Sequence, residues 1–150
     1  MRYAVQILMA IGGAVGFALM FNMRGKRLMI AGIGGAITWG AYLTMFAMSD
    51  KKFVACLTAT IVCMIFAEVM ARVTKTPVII LLVPMLVPLV PGGDLYYMMS
   101  NIIMDNSALA REYGQTLIME VGAIAFGIIL VSTGLQIYQR IKQFREGASN

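Results

Sequence analysis

Residues 76–97 of the chain read TPVIILLVPMLVPLVPGGDLYY. The uncharged part, residues 77–91, would form a helix of only about 22 Å, which is shorter than the ~30 Å hydrocarbon core of a bilayer. Pro84, Pro88 and Pro91 each lack an amide donor and clash with the carbonyl four residues earlier. The pattern therefore predicts an apolar helix that breaks before Asp94.

A broken helix at membrane depth needs an explanation for its free backbone groups. Such groups are tolerated only where they face protein or a water-filled cavity. Secondary transporters use helices of this kind, whose unwound carbonyls and half-helix ends meet solutes. The alternative is a simple kink, because proline is common in membrane helices. Three prolines, two glycines and an adjacent acid favour a functional break.

The composition fits a membrane protein. Of the 150 residues, 60% are hydrophobic and 13% are charged, about half of the ~25% charged in soluble domains. This excludes a soluble enzyme, a nucleic-acid-binding module and a disordered chain. The chain has no histidine, and Cys56 and Cys63 lie two helical turns apart, roughly 10 Å, too far for a disulfide. We therefore expect neither a metal nor a cofactor.

Charged clusters divide the chain into apolar segments that predict an all-α integral membrane protein. We interpret residues 1–150 as a single transmembrane domain, a five-span helical bundle. The predicted spans are residues 3–21, 28–48, 53–71, 77–91 and 115–137.

The distribution of basic residues predicts the orientation. Five crossings with the N-terminus outside and the C-terminus inside place eight of the 12 Lys and Arg residues on the inner side. If the fourth segment only dips into the membrane, the basic residues divide six and six. The positive-inside rule favours five crossings, but whether the fourth segment fully spans stays open.

A short amphipathic helix is predicted at residues 94–104. Its apolar positions recur at helical spacing, and Asp94 after two glycines is typical of an N-cap. We expect it to lie at the outer membrane surface or to pack back against the bundle. The apolar stripe consists of Leu95, Met98, Met99, Ile102 and Ile103.

Small residues at four-residue spacing mark helix contact faces in membranes, where backbones approach closely. Four of the five predicted spans carry them, and we interpret them as packing rather than binding residues. They are Gly12 and Gly16; Gly32, Ala36 and Gly40; Ala55, Ala59, Cys63, Ala67 and Ala71; and Ala123 and Gly127.

Two acids lie inside predicted spans and are candidates for proton coupling. Glu68 and Arg72 are four residues apart, so they form either a structural ion pair or a gate. Glu120 lies about one turn inside the last span, where it would either relay a proton or sit at the interface with access to water. Arg72 is the only cation that we expect near a solute path from within a span.

With these residues in place, the sequence resembles the C-terminal membrane domain of the threonine/serine exporter family. It is similar in particular to separately encoded small subunits, one of which belongs to a two-component bacterial succinate exporter. The matching motifs are Val15-Gly16-Phe17-Ala18-Leu19-Met20-Phe21-Asn22 followed by Arg27, the glycine-rich second span, Arg72 before Pro77, and Pro88-Leu89-Val90-Pro91-Gly92 followed by Tyr96.

The resemblance implies an exporter subunit in the bacterial plasma (inner) membrane rather than an enzyme. It also implies a larger multi-span membrane partner, and a small metabolite as cargo: threonine or serine, or a dicarboxylate such as succinate. A homo-oligomer is a further possible assembly. The expected substrate path contains Pro88, Pro91, Gly92, Gly93, Asp94, Tyr96, Tyr97, Asn22 and Arg72, with Glu68 or Glu120 carrying a coupling proton.

The main alternative is a non-transporting membrane scaffold that oligomerises through its small-residue faces. It explains the glycine spacing equally well, but it gives no reason for the proline-rich break. An intramembrane enzyme is disfavoured because the sequence has no histidine and no Gly-x-Ser-x-Gly motif.

Overall fold

The computed structural model describes residues 2–147, and the side chains of residues 3–141. The described chain is helical throughout, with short connections. The helices are α1 (Arg2–Met20), α2 (Lys26–Ser49), α3 (Lys52–Thr74), α4 (Val78–Leu86), a short 3-10 helix (Val87–Leu89), α5 (Gly92–Ile103) and α6 (Ser107–Gly147).

Tight turns join the helices at left-handed residues. Asn22, Asp50, Lys75 and Asp105 all have φ between 50° and 57°. Asn and Asp tolerate this conformation because their short polar side chains bond locally. At the end of α3 the Lys75 amide donates to the carbonyl of Arg72, which closes the helix before it would run into the next span.

Close packing of α1, α2, α3 and α4 forms the core. The predicted small stripe of α3, Ala55, Ala59, Cys63, Ala67 and Ala71, is fully buried. A Cβ added at Gly35 would lie 2.6 Å from the Ala14 methyl and 3.2 Å from the Ala10 carbonyl oxygen. On α6, Ala123 is buried and Gly127 contacts Thr60 of α3. The expected packing role is confirmed for the α3 stripe, Ala123 and Gly127, whereas Gly35 was not among the predicted positions.

Other glycines that were expected to pack have no close neighbour in the described chain. A Cβ added at Gly12, Gly16 or Gly40 would have no neighbouring atom within 4 Å. Helix α1 instead packs through the buried stripe Ala10, Ala14 and Ala18. The four-residue spacing was right, but the contact face of α1 is offset from the glycines.

Four helices, α1, α2, α3 and α6, are long and apolar enough to cross a membrane. A fifth crossing requires α4, the 3-10 helix and α5 to form one span. The segments Val78–Leu89 and Gly92–Ile103 are bent by 54° relative to each other at Pro91. The predicted break in the fourth segment is therefore present. Five crossings and the N-outside orientation stay predictions.

The last helix is longer than the predicted span of residues 115–137. Helix α6 has 41 residues, which is about 60 Å and twice the ~30 Å thickness of a hydrocarbon core. Its first turns pack against α5, where Tyr113 stacks on Tyr97 with ring centroids 5.4 Å apart. Helix α6 therefore extends beyond its apolar span, and its first turns provide a packing surface for α5 that hydropathy alone does not show.

Helix α5 corrects the expected N-cap, while its place at the outer membrane surface or against the bundle stays a prediction. Among the described helices its backbone packs against α6 alone. Most of its apolar stripe is exposed, reaching 84% exposure at Ile103, whereas Met98 is half-buried against α6. Asp94 is not the N-cap, because α5 begins at Gly92 and the cap position is Pro91; the Asp94 carboxylate pairs with a lysine of α3 instead.

Candidate functional site

The break itself is a compact turn centred on Pro91. The Val90 amide donates to the Val87 carbonyl, and the Gly92 amide donates to the Val90 carbonyl at 2.7 Å. Pro91 has φ −77° and ψ 59°, which is the geometry of an inverse γ-turn. Helix α5 starts immediately afterwards, so its first amides lie at the break, where a helix cannot pair them internally.

Three charged side chains from three helices meet beside this turn. Lys52 Nζ, at the start of α3, donates to Asp94 Oδ2 of α5 at 2.7 Å and lies 3.5 Å from Glu120 Oε1 of α6. The side chains of Glu120 and Asp94 are 7% and 15% exposed, whereas that of Lys52 is 42% exposed. Two enclosed carboxylates therefore share one ammonium that retains access to its surroundings.

A cavity of about 190 Å³ opens beside the charged groups, and we call it the break cavity. It is lined by residues 88–94 and by Trp39, Tyr42, Cys56 and Glu120. Trp39 stacks on Tyr42 with ring centroids 4.9 Å apart. The cavity thus combines an aromatic pair, a free thiol, the residues of the turn and two carboxyl side chains.

The structure brings six of the predicted site residues together. Pro88, Pro91, Gly92, Gly93, Asp94 and Glu120 all line the break cavity. This arrangement places charged groups of opposite sign beside the turn, where a small polar solute would meet both.

The other five predicted site residues lie elsewhere. Tyr96 and Tyr97 are exposed on α5, and Asn22 is exposed in the turn between α1 and α2. Arg72 Nη2 lies 3.4 Å from Glu68 Oε2 in an exposed pair. Glu68 and Arg72 lie 16 and 20 residues along α3 from Lys52, about 24 and 30 Å away at ~1.5 Å per residue.

Sequence reasoning missed Lys52, Tyr42 and Cys56, and it expected Arg72 to be the cation of the path. Lys52 was counted as a loop charge beside Asp50 and Lys51. Its spacing held a signal, because Lys52, Cys56 and Cys63 share the helix face that carries the small residues. Extending that buried face by one turn would have included Lys52.

A larger hollow, about 530 Å³, lies between α5 and the start of α6. Its walls are mostly apolar, and Arg111 is its one basic residue. The break cavity has the stronger chemistry, because buried carboxylates require a specific partner and rarely persist without a role.

No curated protein and no solved structure shows significant similarity to this chain. The model of one family, described as Threonine/Serine exporter, ThrE, matches residues 6–133. This match covers α1 to α5 and most of the apolar part of α6, and hence every residue of the break cavity. The chain therefore belongs to the threonine/serine exporter family, whose members are membrane exporters of small metabolites.

Proposed function

We propose that this chain is the membrane subunit of an exporter that moves a small carboxylate-bearing metabolite outward through the break cavity. It acts with a larger multi-span subunit of the same family in the bacterial inner membrane. The observation that carries the proposal is the ammonium of Lys52, held at a broken helix between two enclosed carboxylates.

Lys52 is the group that would bind the carboxylate of the cargo. No lysine or arginine lines the cavity among the described residues, but Lys52 pairs with two carboxylates that do, Asp94 and Glu120. Its side chain is the most exposed of the three charged groups. The first amides of α5, at Gly93 and Asp94, add favourable partial charge, because a helix N-terminus attracts anions. Cargo and Glu120 would then compete for the same ammonium.

That competition suggests how a proton is coupled to export. The Glu120 oxygen lies farther from Lys52 than the Asp94 oxygen, 3.5 Å against 2.7 Å. If Glu120 took up a proton, it would lose its negative charge and its attraction to Lys52. The Lys52 ammonium would then be free to bind the cargo carboxylate. Loss of that proton would restore the Lys52–Glu120 pair and expel the cargo. Of the two acids predicted for coupling, Glu120 fits this role and Glu68 does not border the cavity.

The family resemblance suggests two chemical classes of substrate: threonine and serine, or a dicarboxylate such as succinate. Both carry a carboxylate for Lys52. Asp94 and Glu120 would contact the ammonium group of threonine or serine, and Lys52 would contact a carboxylate of either class. The break cavity therefore suits both classes.

The test is efflux from cells that lack the gene and regain it together with its proposed partner. Internal threonine, serine and succinate are measured over time after loading. We expect efflux of at least one of the three to depend on both genes. Unchanged efflux of all three would contradict the substrate claim, and efflux that requires only this chain would contradict the partner.

The scaffold alternative would use the exposed faces at Gly12 and Gly16, where an added Cβ would have no neighbouring atom within 4 Å. Those faces equally suit the proposed larger subunit or a homo-oligomer. A scaffold gives no reason for an enclosed ion cluster. Reconstituted protein with its partner that shows no solute-dependent flux would favour the scaffold.

A further inference from the structure

A second cavity lies directly behind the break cavity. It has a volume of about 290 Å³ and is formed by α1, α2 and the 3-10 helix; we call it the α1 cavity. Gln6, Met9 and Gly13 of α1 line one side of it. Trp39 and Pro88 line both cavities, so these two side chains form the wall that the cavities share.

The α1 cavity is bordered by two side chains with unsatisfied polar atoms. The indole Nε1 of Trp39 and the amide Oε1 of Gln6 are buried and have no hydrogen-bond partner among the described residues. Such atoms are destabilising when they stay unpaired, and no bulk water reaches membrane depth to pair them. One is a donor and the other is an acceptor, yet they do not bond to each other.

Of the two residues in the shared wall, Trp39 is the one that can move. The ring of Pro88 is fixed to the backbone of the 3-10 helix, whereas the indole turns about two side-chain bonds. Both unpaired atoms are covered in this structure. A turn of the two side chains is therefore needed before either atom can meet a solute.

We propose that the α1 cavity is a second solute-binding position of the exporter, with Trp39 as the wall between it and the break cavity. The Trp39 indole donates to a carboxylate of the solute, and the Gln6 amide oxygen accepts from an ammonium or hydroxyl group. This inference rests on the proposed exporter function. A solute that passes between the two cavities turns Trp39 aside.

Trp39 is the only tryptophan of the chain, so its fluorescence reports on this wall directly. The purified chain in liposomes is titrated with L-threonine and, separately, with succinate. We expect a saturable change in the emission maximum and reduced quenching by acrylamide for at least one solute. Succinate has no donor for Gln6 at neutral pH, so a response to both solutes should need more succinate than threonine.

Two variants locate the solute. Gln6→Leu should raise the half-maximal concentration of the fluorescence response about fivefold or more, whereas Gln115→Leu on α6, the same change away from the α1 cavity, should leave it unchanged. A response that Gln6→Leu does not alter would place the solute in the break cavity alone and overturn the second position. So would the absence of any response at solute concentrations that saturate efflux.

Efflux measurements separate binding from a purely structural role of Trp39. Trp39→Phe keeps an aromatic ring but removes the N–H, so we expect the half-saturating internal concentration to rise about fivefold with the maximal rate retained. Trp39→Ala removes the wall and should give a leak for both solutes. Phe66→Ala, a lost aromatic contact in the core away from both cavities, should give none.

The two proposals fail in different ways. Wild-type efflux with a silent Trp39 would overturn the second position and leave the exporter intact. A saturable Trp39 response that Gln6→Leu weakens, without efflux of any solute, would support the second position as a binding site and contradict the exporter. A Trp39→Ala variant that is inserted normally and shows no leak would overturn the role of the indole as a wall.

Discussion

Lys52 Nζ lies 2.7 Å from Asp94 Oδ2, although the two residues are 42 positions apart in the chain. The contact joins the first turn of α3 to the first turn of α5. It ties the start of α5 to α3, although among the described helices the backbone of α5 packs only against α6. A change at Lys52 therefore tests both the position of the break and the chemistry of the cavity.

Replacing Lys52 with methionine should abolish export and lower stability. The substitution keeps a similar length but leaves Asp94 and Glu120 facing each other without a cation. We expect destabilisation of about 1–2 kcal/mol, between the small value of exposed ion pairs and the 3–5 kcal/mol of broken buried pairs, since Lys52 is partly exposed. Efflux and thermal unfolding in detergent measure the two effects.

The matched control is Lys51→Met, because Lys51 is the exposed neighbour of Lys52 and makes no ion pair with another described residue. It should keep wild-type efflux and melting temperature. Lys52→Arg keeps the charge and should retain part of the efflux. Full efflux by Lys52→Met would show that its ammonium does not bind the cargo.

Replacing Pro91 with alanine should abolish transport while the protein still inserts. Alanine restores an amide and removes the ring that fixes the inverse γ-turn, so the 3-10 helix and α5 can join into a straighter helix. Efflux is compared with the amount of protein in the membrane fraction. Pro77→Ala, a change at the start of α4 away from the break, is the control. Normal efflux by Pro91→Ala would reject the broken helix as the solute site.

The structure also predicts that two glycine positions differ in stability. Gly35→Ala pushes a methyl group against Ala14 and the Ala10 backbone, so α1 and α2 must separate. We expect a loss of about 1–3 kcal/mol, typical of overpacked cores. Gly12→Ala points into open space and should be neutral or stabilising by up to about 1 kcal/mol, because alanine favours helix. Thermal unfolding of the chain alone measures both.

Equal melting temperatures for the two alanine variants would contradict the packing of α1 on α2. A different result is expected with a partner present. If a helix of the larger subunit covers the open face of α1, Gly12→Ala should weaken co-purification of the two proteins while leaving the isolated chain unaffected.

The sequence predicted the helices and the break because both follow from local chemistry. Apolar length gives the spans, and Pro88 and Pro91 lie where the α-helix gives way to the 3-10 helix and the turn, whereas Pro84 is accommodated inside α4. The buried stripe of α3 was equally accessible, since a four-residue repeat maps to one helix face. These features depend only on residues that are near one another in the chain.

The ion cluster could not be predicted in the same way. The three charged residues lie on three different helices: Lys52 on α3, Asp94 on α5 and Glu120 on α6. They meet because α6 packs against both α3 and α5. A single sequence shows that a helix has a small-residue face, but not which helix covers it. For the same reason the spacing of Gly12 and Gly16 was recognised while their open environment was not.

The choice between Glu120 and Glu68 as the coupling acid has a direct test. Glu120→Gln keeps the shape of the side chain but removes the charge that competes for Lys52. We expect efflux to fall at least tenfold and its remaining dependence on pH to flatten. Glu68→Gln disrupts only an exposed pair with Arg72, worth about 0–1 kcal/mol, and should leave both the rate and the pH profile unchanged.

A further variant controls for the loss of a carboxylate from α6. Glu112 is exposed two turns before Glu120 on the same helix, so Glu112→Gln should export at the wild-type rate. Rates are measured across a pH series with equal amounts of inserted protein. If Glu68→Gln flattens the pH profile and Glu120→Gln does not, the coupling proton binds at Glu68, toward the C-terminal end of α3. In that case Lys52 and Glu120 form only a structural pair, because cargo binding at the break would then proceed without any change in their charge.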